Sequence, residues 1–260
     1  FTIISCAKKE ESTSSSSSSG TTSQMGGSRQ GVELSLSTAV TTLAGTGSSG
    51  SANGTGTSAS FYNPFGITTD GTNLYVGDQN NHLIRQIVIS TGVVTTVAGT
   101  GDNGSANGTG TAASFYEPQG ITTDGTNLYV AGNKTNLIRQ IVISTGVVTT
   151  LAGTGSPGSS NGTGTAASFN YPEGITTDGT NLYVGDTSNH LIRKIVISTG
   201  VVTTVAGTGS SGSANGTGTS ASFYNPYGIT TDGTNLYVGD ALNHLIRKIV
   251  ISTGAVTTVA

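Results

Sequence analysis

Asp78, His82 and Arg85 fall within eight residues of one another in the segment Gly77-Asp78-Gln79-Asn80-Asn81-His82-Leu83-Ile84-Arg85. An acid, an imidazole and a guanidinium at that spacing are the raw material of a metal site, an acid–base pair or a buried polar brace. The trio returns as Asp186, His190 and Arg193 and again as Asp240, His244 and Arg247. A further copy keeps Arg139 but has Gly132 and Asn136 in place of acid and imidazole. A zinc site needs three or four ligands within about 2–2.3 Å of one ion. Histidines carried one per copy, each on its own loop, do not converge, so no metal is expected. Asp78 and His82 flank a three-residue loop and are lost together in the second copy, which predicts a hydrogen bond between them that closes the loop. A buried guanidinium needs acceptors. Arg139 persists where the acid is gone, so backbone carbonyls of the next unit are the expected partners of Arg85, Arg139, Arg193 and Arg247. No serine elbow, paired-carboxylate motif, phosphate loop or calcium loop is present. No catalytic residue and no cofactor are expected.

The elements that hold these residues come from an internal repeat. The string GITTDGTNLYV begins at 66, 120, 174 and 228, a spacing of 54 each time. It divides the chain into units at about 45–98, 99–152, 153–206 and 207–260. Each unit reads as four short strands: in the first, Ile67–Thr69, Leu74–Gly77, about His82–Ile89 and Val93–Ala98. Asp-Gly and Ser-Thr-Gly segments supply the turns. No 3.6-residue apolar period appears. Leu-Tyr-Val and Leu-Ile-Arg-Gln-Ile-Val-Ile are apolar on both faces, as sheets stacked face to face require. Four-stranded units repeated at this length predict an all-β fold, a β-propeller of four-stranded antiparallel blades with four complete repeats.

Asn-His-Leu-Ile-Arg after Leu-Tyr-Val-x-Asp and before a Thr-x-Ala-Gly strand resembles the NHL repeat, named for that tripeptide. The resemblance covers about 38–260 and includes the loop from Ala98-Gly99-Thr100-Gly101 to Pro118-x-Gly120. It implies membership of a six-bladed ring, in which the D-like segment Thr38–Ala44 is a leading outer strand and the four blades form an open arc or a strained four-bladed ring with one surplus strand. Some six-bladed relatives are lactonases or lyases that hold a metal in the channel with inward-facing Glu, Asp, Asn or His. That is the alternative reading here, and Glu173 is the one strong ligand at the expected position.

Strand order places the loops before the first strand and those between the second and third on one face. The opposite turns, Asp-Gly-Thr-Asn and Ser-Thr-Gly, repeat without change, whereas the loop face varies. At the channel mouth stand Phe65, Gln119, Glu173 and Tyr227; in the loops stand Gln79 and Asn80, Asn133 and Lys134, Thr187 and Ser188, and Ala241 and Leu242. Variation gathered on one loop face of a repeated frame is the pattern of a binding surface. Drift in unconstrained loops gives the same pattern.

Composition sets the setting. Only 9% of the 260 residues are charged, the net charge is −3 and there are 40 glycines, which suits strands and turns and offers no basic patch for nucleic acid. The single cysteine, Cys6, follows Ile3-Ile4-Ser5 as in a bacterial lipobox. Residues 1–6 then read as the end of a signal peptide, 7–36 as a Ser-rich tether and 37–260 as the propeller. The expected membrane contact is a lipid anchor at Cys6 alone. Asn53, Asn107, Asn161 and Asn215 match a glycosylation pattern and are read as turn residues. Together these features predict a non-enzymatic module that binds an unknown protein or glycan at the bacterial cell envelope, periplasmic or surface-exposed. A structural surface protein without a specific ligand is the other non-enzymatic reading.

Overall fold

The computed structural model describes residues 39–260, and 41–260 form one compact unit. Cys6, its lipobox and the tether lie outside the described residues. Val, Ile, Thr and Tyr fill the extended runs, and Gly or Asn stands wherever the chain must reverse. In the first blade, β1 (Gly54–Thr55), β2 (Pro64–Thr69), β3 (Asn73–Asp78), β4 (Leu83–Val88) and β5 (Val93–Ala98) make one antiparallel sheet in the order β1-β5-β4-β3-β2. The other units repeat it, with innermost strands Pro118–Thr123, Pro172–Thr177 and Pro226–Thr231. Four strands per blade are as the sequence implies. The fifth is a correction: the two residues Gly54 and Thr55 of the incoming connector lie opposite Val94 and Val93 of β5. So short a Gly-Thr segment carries no alternation that could reveal it. No helix among the described residues is long and apolar enough to cross a membrane.

The β2–β3 turn shows how local chemistry fixes the register. Gly71 takes the left-handed region at φ +91°. Asp70 Oδ1 accepts the backbone N–H groups of Thr72 and Asn73 at 2.8 and 2.7 Å, and the Tyr75 hydroxyl donates to Oδ2 at 2.9 Å. Ile67, Thr68 and Thr69 then face Val76, Tyr75 and Leu74. Asp124, Asp178 and Asp232 build the same turn.

The core lies between blades. Tyr75, Ile84 and Ala98 of the first blade pack with Phe115, Ile121, Leu128 and Val130 of the second, and equivalent clusters join second to third and third to fourth. Innermost strands touch so closely that a Cβ on Gly66, Gly120 or Gly174 would strike the carbonyl oxygen of Gln119, Glu173 or Tyr227 in the following blade. At Gly228 a Cβ would meet nothing. No buried cluster among the described residues joins the fourth sheet to the first, so 41–260 is an open arc. Phe65 and Ile67 are exposed at one end, Ile246 and Val259 at the other.

The expected leading strand is a second correction. Of Thr38–Ala44, the described part forms no strand, because no neighbouring strand offers it a ladder, and Val40 is fully exposed. Ala44 still packs on the outer face of the first blade, and the Gly45 N–H reaches Gly56 O at 3.1 Å as Gly99 N–H reaches Gly110 O at 3.2 Å.

Candidate functional site

The Asp–His–Arg trio separates into two devices. Asp78 is fully buried and pairs with Arg85 Nη1 at 2.9 Å. Its Oδ1 accepts Tyr62 N–H at 2.7 Å and its Oδ2 accepts Asn81 Nδ2 at 2.8 Å. Arg85 Nη1 also reaches Ser60 O at 3.1 Å, and Nη2 reaches Ala52 O and Asn53 Oδ1 at 3.0 and 2.9 Å. The Phe61 ring lies 5.2 Å from the guanidinium carbon. Asp186–Arg193 and Asp240–Arg247 repeat the pair at 2.8 and 2.9 Å.

His82 takes no part in this. Its Nδ1 accepts the backbone N–H of Glu117 in the following blade at 3.2 Å, with its ring edge-on to Tyr116. His190 does the same for Asn225, and Asn136 substitutes with its Oδ1 on Tyr171 N–H at 2.9 Å. The expected Asp78–His82 bond is therefore overturned: His82 sits in the left-handed region (φ 57°), which turns the imidazole away toward the next blade. The arginine expectation is corrected as well. Its carbonyl partners come from the connector of its own blade, and the acid is a partner wherever the blade has one. The Asn-Gly-Thr asparagines are guanidinium acceptors, a role no local pattern announces across 32 residues of separation.

The four mouth residues are brought onto one arc of innermost strands. The Phe65 and Tyr227 rings, from the first and last blades, stand 6.2 Å apart and tilted at 47°. Gln119 and Glu173 lie on the two strands between and are buried, 6% and 7% exposed. Glu173 Oε1 accepts Asn133 Nδ2 at 2.8 Å. Glu173 Oε2 and Gln119 Oε1 are buried without a hydrogen-bond partner. Burial pushes the Glu173 carboxyl above its ordinary range, while the Tyr227 hydroxyl facing it, the Asn133 amide and the Lys134 ammonium pull it back. The Tyr227 hydroxyl is pushed up to about 12 by burial and by the same carboxylate.

The variable loops are less free than their sequences imply. Gln79, Asn133 and Thr187 are buried: Gln79 accepts from Asn63 Nδ2 at 3.0 Å, Asn133 holds Glu173, and Thr187 donates to Pro226 O at 3.0 Å. Asn80 and Ser188 reach back with their backbone N–H groups to Tyr62 O and Asn170 O, each at 3.1 Å. Lys134 lies 4.0 Å from Glu117 and over the Tyr171 ring. Ala241 and Leu242, on the last blade, are exposed. The geometry thus gathers Asn133, Lys134 and Tyr227 about Glu173, with Gln119 and Phe65 on the neighbouring innermost strands, and leaves the other loop residues outside that group.

No protein-family model matches the chain. Among curated proteins it is similar to Protein SUPPRESSOR OF QUENCHING 1, chloroplastic, of Arabidopsis thaliana, at 31% identity over 235 residues, 83% of this chain and 22% of that one. It is similar to NHL repeat-containing protein 2 of Homo sapiens at 30% identity over 161 residues, 56% of this chain and 22% of that one. The chain spans 22% of the length of each of these relatives. Among solved structures, an auxiliary nutrient binding protein from Bacteroides ovatus superposes with a TM-score of 0.58 at 21% identity, covering 78% of this chain and 50% of that one. A catalytically inactive virginiamycin B lyase from Staphylococcus aureus with quinupristin gives 0.50 at 21% identity, covering 75% and 54%. At such identities these two share the fold alone.

Proposed function

Because this chain is built of NHL repeats folded as propeller blades, we propose that it is a binding module whose channel mouth takes a protein or glycan ligand at the bacterial cell envelope, held there by a lipid on Cys6. The observation that carries this reading is the pair of buried, unpartnered acceptors, Gln119 Oε1 and Glu173 Oε2, on the two innermost strands between those that carry Phe65 and Tyr227. An acceptor left unmade in a buried place costs about 1–3 kcal/mol, and a ligand that brings hydroxyl or ammonium donors recovers it. Phe65 and Tyr227 offer faces for a sugar ring or a cation. The ligand class is therefore donor-rich.

The mouth gathers one carboxylate, and among the described residues no three of His, Cys, Asp and Glu come together. Those side chains supply neither an acid–base pair nor a ligand set, which favours binding over the lyase-like alternative. The Bacteroides neighbour is called a nutrient binding protein, and the lipobox around Cys6 supports the envelope setting.

Glycan and peptide arrays probed with the full chain test the mouth. A ligand is expected that binds about tenfold or more weakly to the Gln119→Ala/Glu173→Ala variant, the loss of at least one charge-assisted hydrogen bond. Ligands held equally by both proteins would place recognition elsewhere. For the anchor, Cys6→Ala is expected to abolish palmitate labelling and release the protein from the membrane fraction; unchanged fractionation would overturn it.

A further inference from the structure

The four blades form an internal substitution series around one buried guanidinium. In the first, third and fourth, Arg85, Arg193 and Arg247 face a carboxylate at 2.8–2.9 Å, with both side chains wholly buried. In the second, Arg139 is 1% exposed and keeps every neutral partner at the usual distance: Ser114 O at 3.1 Å, Ala106 O and Asn107 Oδ1 at 2.9 Å, and the Phe115 ring at 5.3 Å. Only the anion is missing. Gly132 stands where the acid would be, and Thr135 replaces the asparagine that elsewhere donates to the carboxylate.

The donors that serve the carboxylate elsewhere remain. Besides the guanidinium, Asp78, Asp186 and Asp240 accept a backbone N–H, from Tyr62, Asn170 and Tyr224 at 2.7, 2.8 and 2.7 Å. The counterpart in the second blade is the N–H of Tyr116, which has no carboxylate to serve. The nearest acid in sequence, Glu117, is turned to Lys134 at 4.0 Å and is partly in solvent. A guanidinium buried among neutral groups is costly unless a counter-charge joins it. Burial alone lowers Arg139 to about 10, where no corresponding carboxylate opposes the loss of its charge.

We propose that the second blade holds a small monovalent anion, chloride or the similarly small formate, between Arg139 Nη1 and the Tyr116 N–H. It occupies the place taken by an aspartate head group in the other three blades. Size follows from Thr135: its hydroxyl would clash with a Cβ on Gly132, and donates to Gly132 O at 3.2 Å. The ligand thus takes the part of a side-chain head group alone, which fits a small monovalent anion better than phosphate or sulfate. This site is independent of the channel mouth and does not rest on the proposed ligand there.

Two measurements on the full chain test it. In crystals grown with bromide, anomalous scattering is expected to show an ion beside Arg139 and none beside Arg85, Arg193 or Arg247. Absence of that ion at Arg139, or ions at all four arginines, would overturn the proposal. In solution, chloride is exchanged for gluconate at fixed ionic strength and unfolding is followed. The folding equilibrium constant is expected to rise saturably, about 100-fold when chloride stands at 100 times its dissociation constant. The Gly132→Asp/Thr135→Asn variant, which rebuilds the internal pair, is expected to lose that dependence. An identical chloride response in the variant, or no response in the natural chain, would sink the idea. Should the variant fail to fold, the bromide result decides alone.

Discussion

At the residue scale the Asp–Arg pairs are the points of highest consequence. Removing one partner strands a buried charge, so Asp78→Ala or Asp186→Ala is expected to lower stability by about 3–5 kcal/mol in urea unfolding. Glu173 gives the opposite kind of effect. Its burial raises the carboxyl above the ordinary value near 4.5, so the folded state holds a proton that the unfolded chain has released. The sign follows: stability is fully present below pH 4.5 and falls as the pH climbs through the raised folded value. Glu173→Gln is expected to flatten that part of the stability–pH curve, and a curve unchanged by the substitution would contradict the buried-acid description. The chemistry of Arg85 was only half legible from the chain. That it must be buried and satisfied followed from its apolar neighbours. Asp78 as its partner was obscured by the second blade, where the arginine persists without the acid and so argued against the true pairing.

At the scale of elements, the histidines connect blades rather than close loops. His82 and His190 each receive a backbone N–H from the following blade, a bond that His244 does not make among the described residues. All three sit in the left-handed region, at φ 57–59°, a conformation that costs an alanine about 1–2 kcal/mol. His82→Ala is therefore expected to cost about 1 kcal/mol more than His244→Ala, the difference being the bond between blades. His82→Asn is expected to be neutral within about 0.5 kcal/mol, since Asn136 already performs both tasks in the second blade. Thermal unfolding of the three variants measures this. Strands β2 to β5 were readable because apolar runs and Gly-marked turns are local signals. The inter-blade reach of His82 was not, because it depends on a backbone angle that no spacing reveals. A second element-scale case is the β2–β3 turn. At Asp124 partial burial raises the carboxyl, but the N–H groups of Asn127 and Thr126 and the Tyr129 hydroxyl outweigh it and hold the group below its ordinary value. Its contribution is present above the usual carboxylate range and is lost as the pH falls toward the folded value, so Asp124→Asn is expected to reduce the acid sensitivity of unfolding.

At the scale of the whole described unit, the arc has three interior interfaces, one between each pair of successive blades. Gly120→Ala and Gly174→Ala force a methyl against the carbonyl of the next blade and are expected to cost about 1–3 kcal/mol or more. Gly228→Ala has open space and is expected to stay within about 0.5 kcal/mol. Equal costs at the three positions would mean that another surface packs against the fourth blade. The repeat length and the strand order made this architecture readable from the chain, since strands apolar on both faces call for a neighbouring blade on either side. The mouth was readable as a position and not as chemistry, because the orphaned oxygens of Gln119 and Glu173 arise only when neighbouring blades meet. The short Gly-Thr strand along β5 has a different consequence. It covers part of the circumferential edge of each sheet with a segment almost bare of side chains, so a foreign strand finds little ladder to extend there. Fibril-type recruitment along the rim is thereby discouraged.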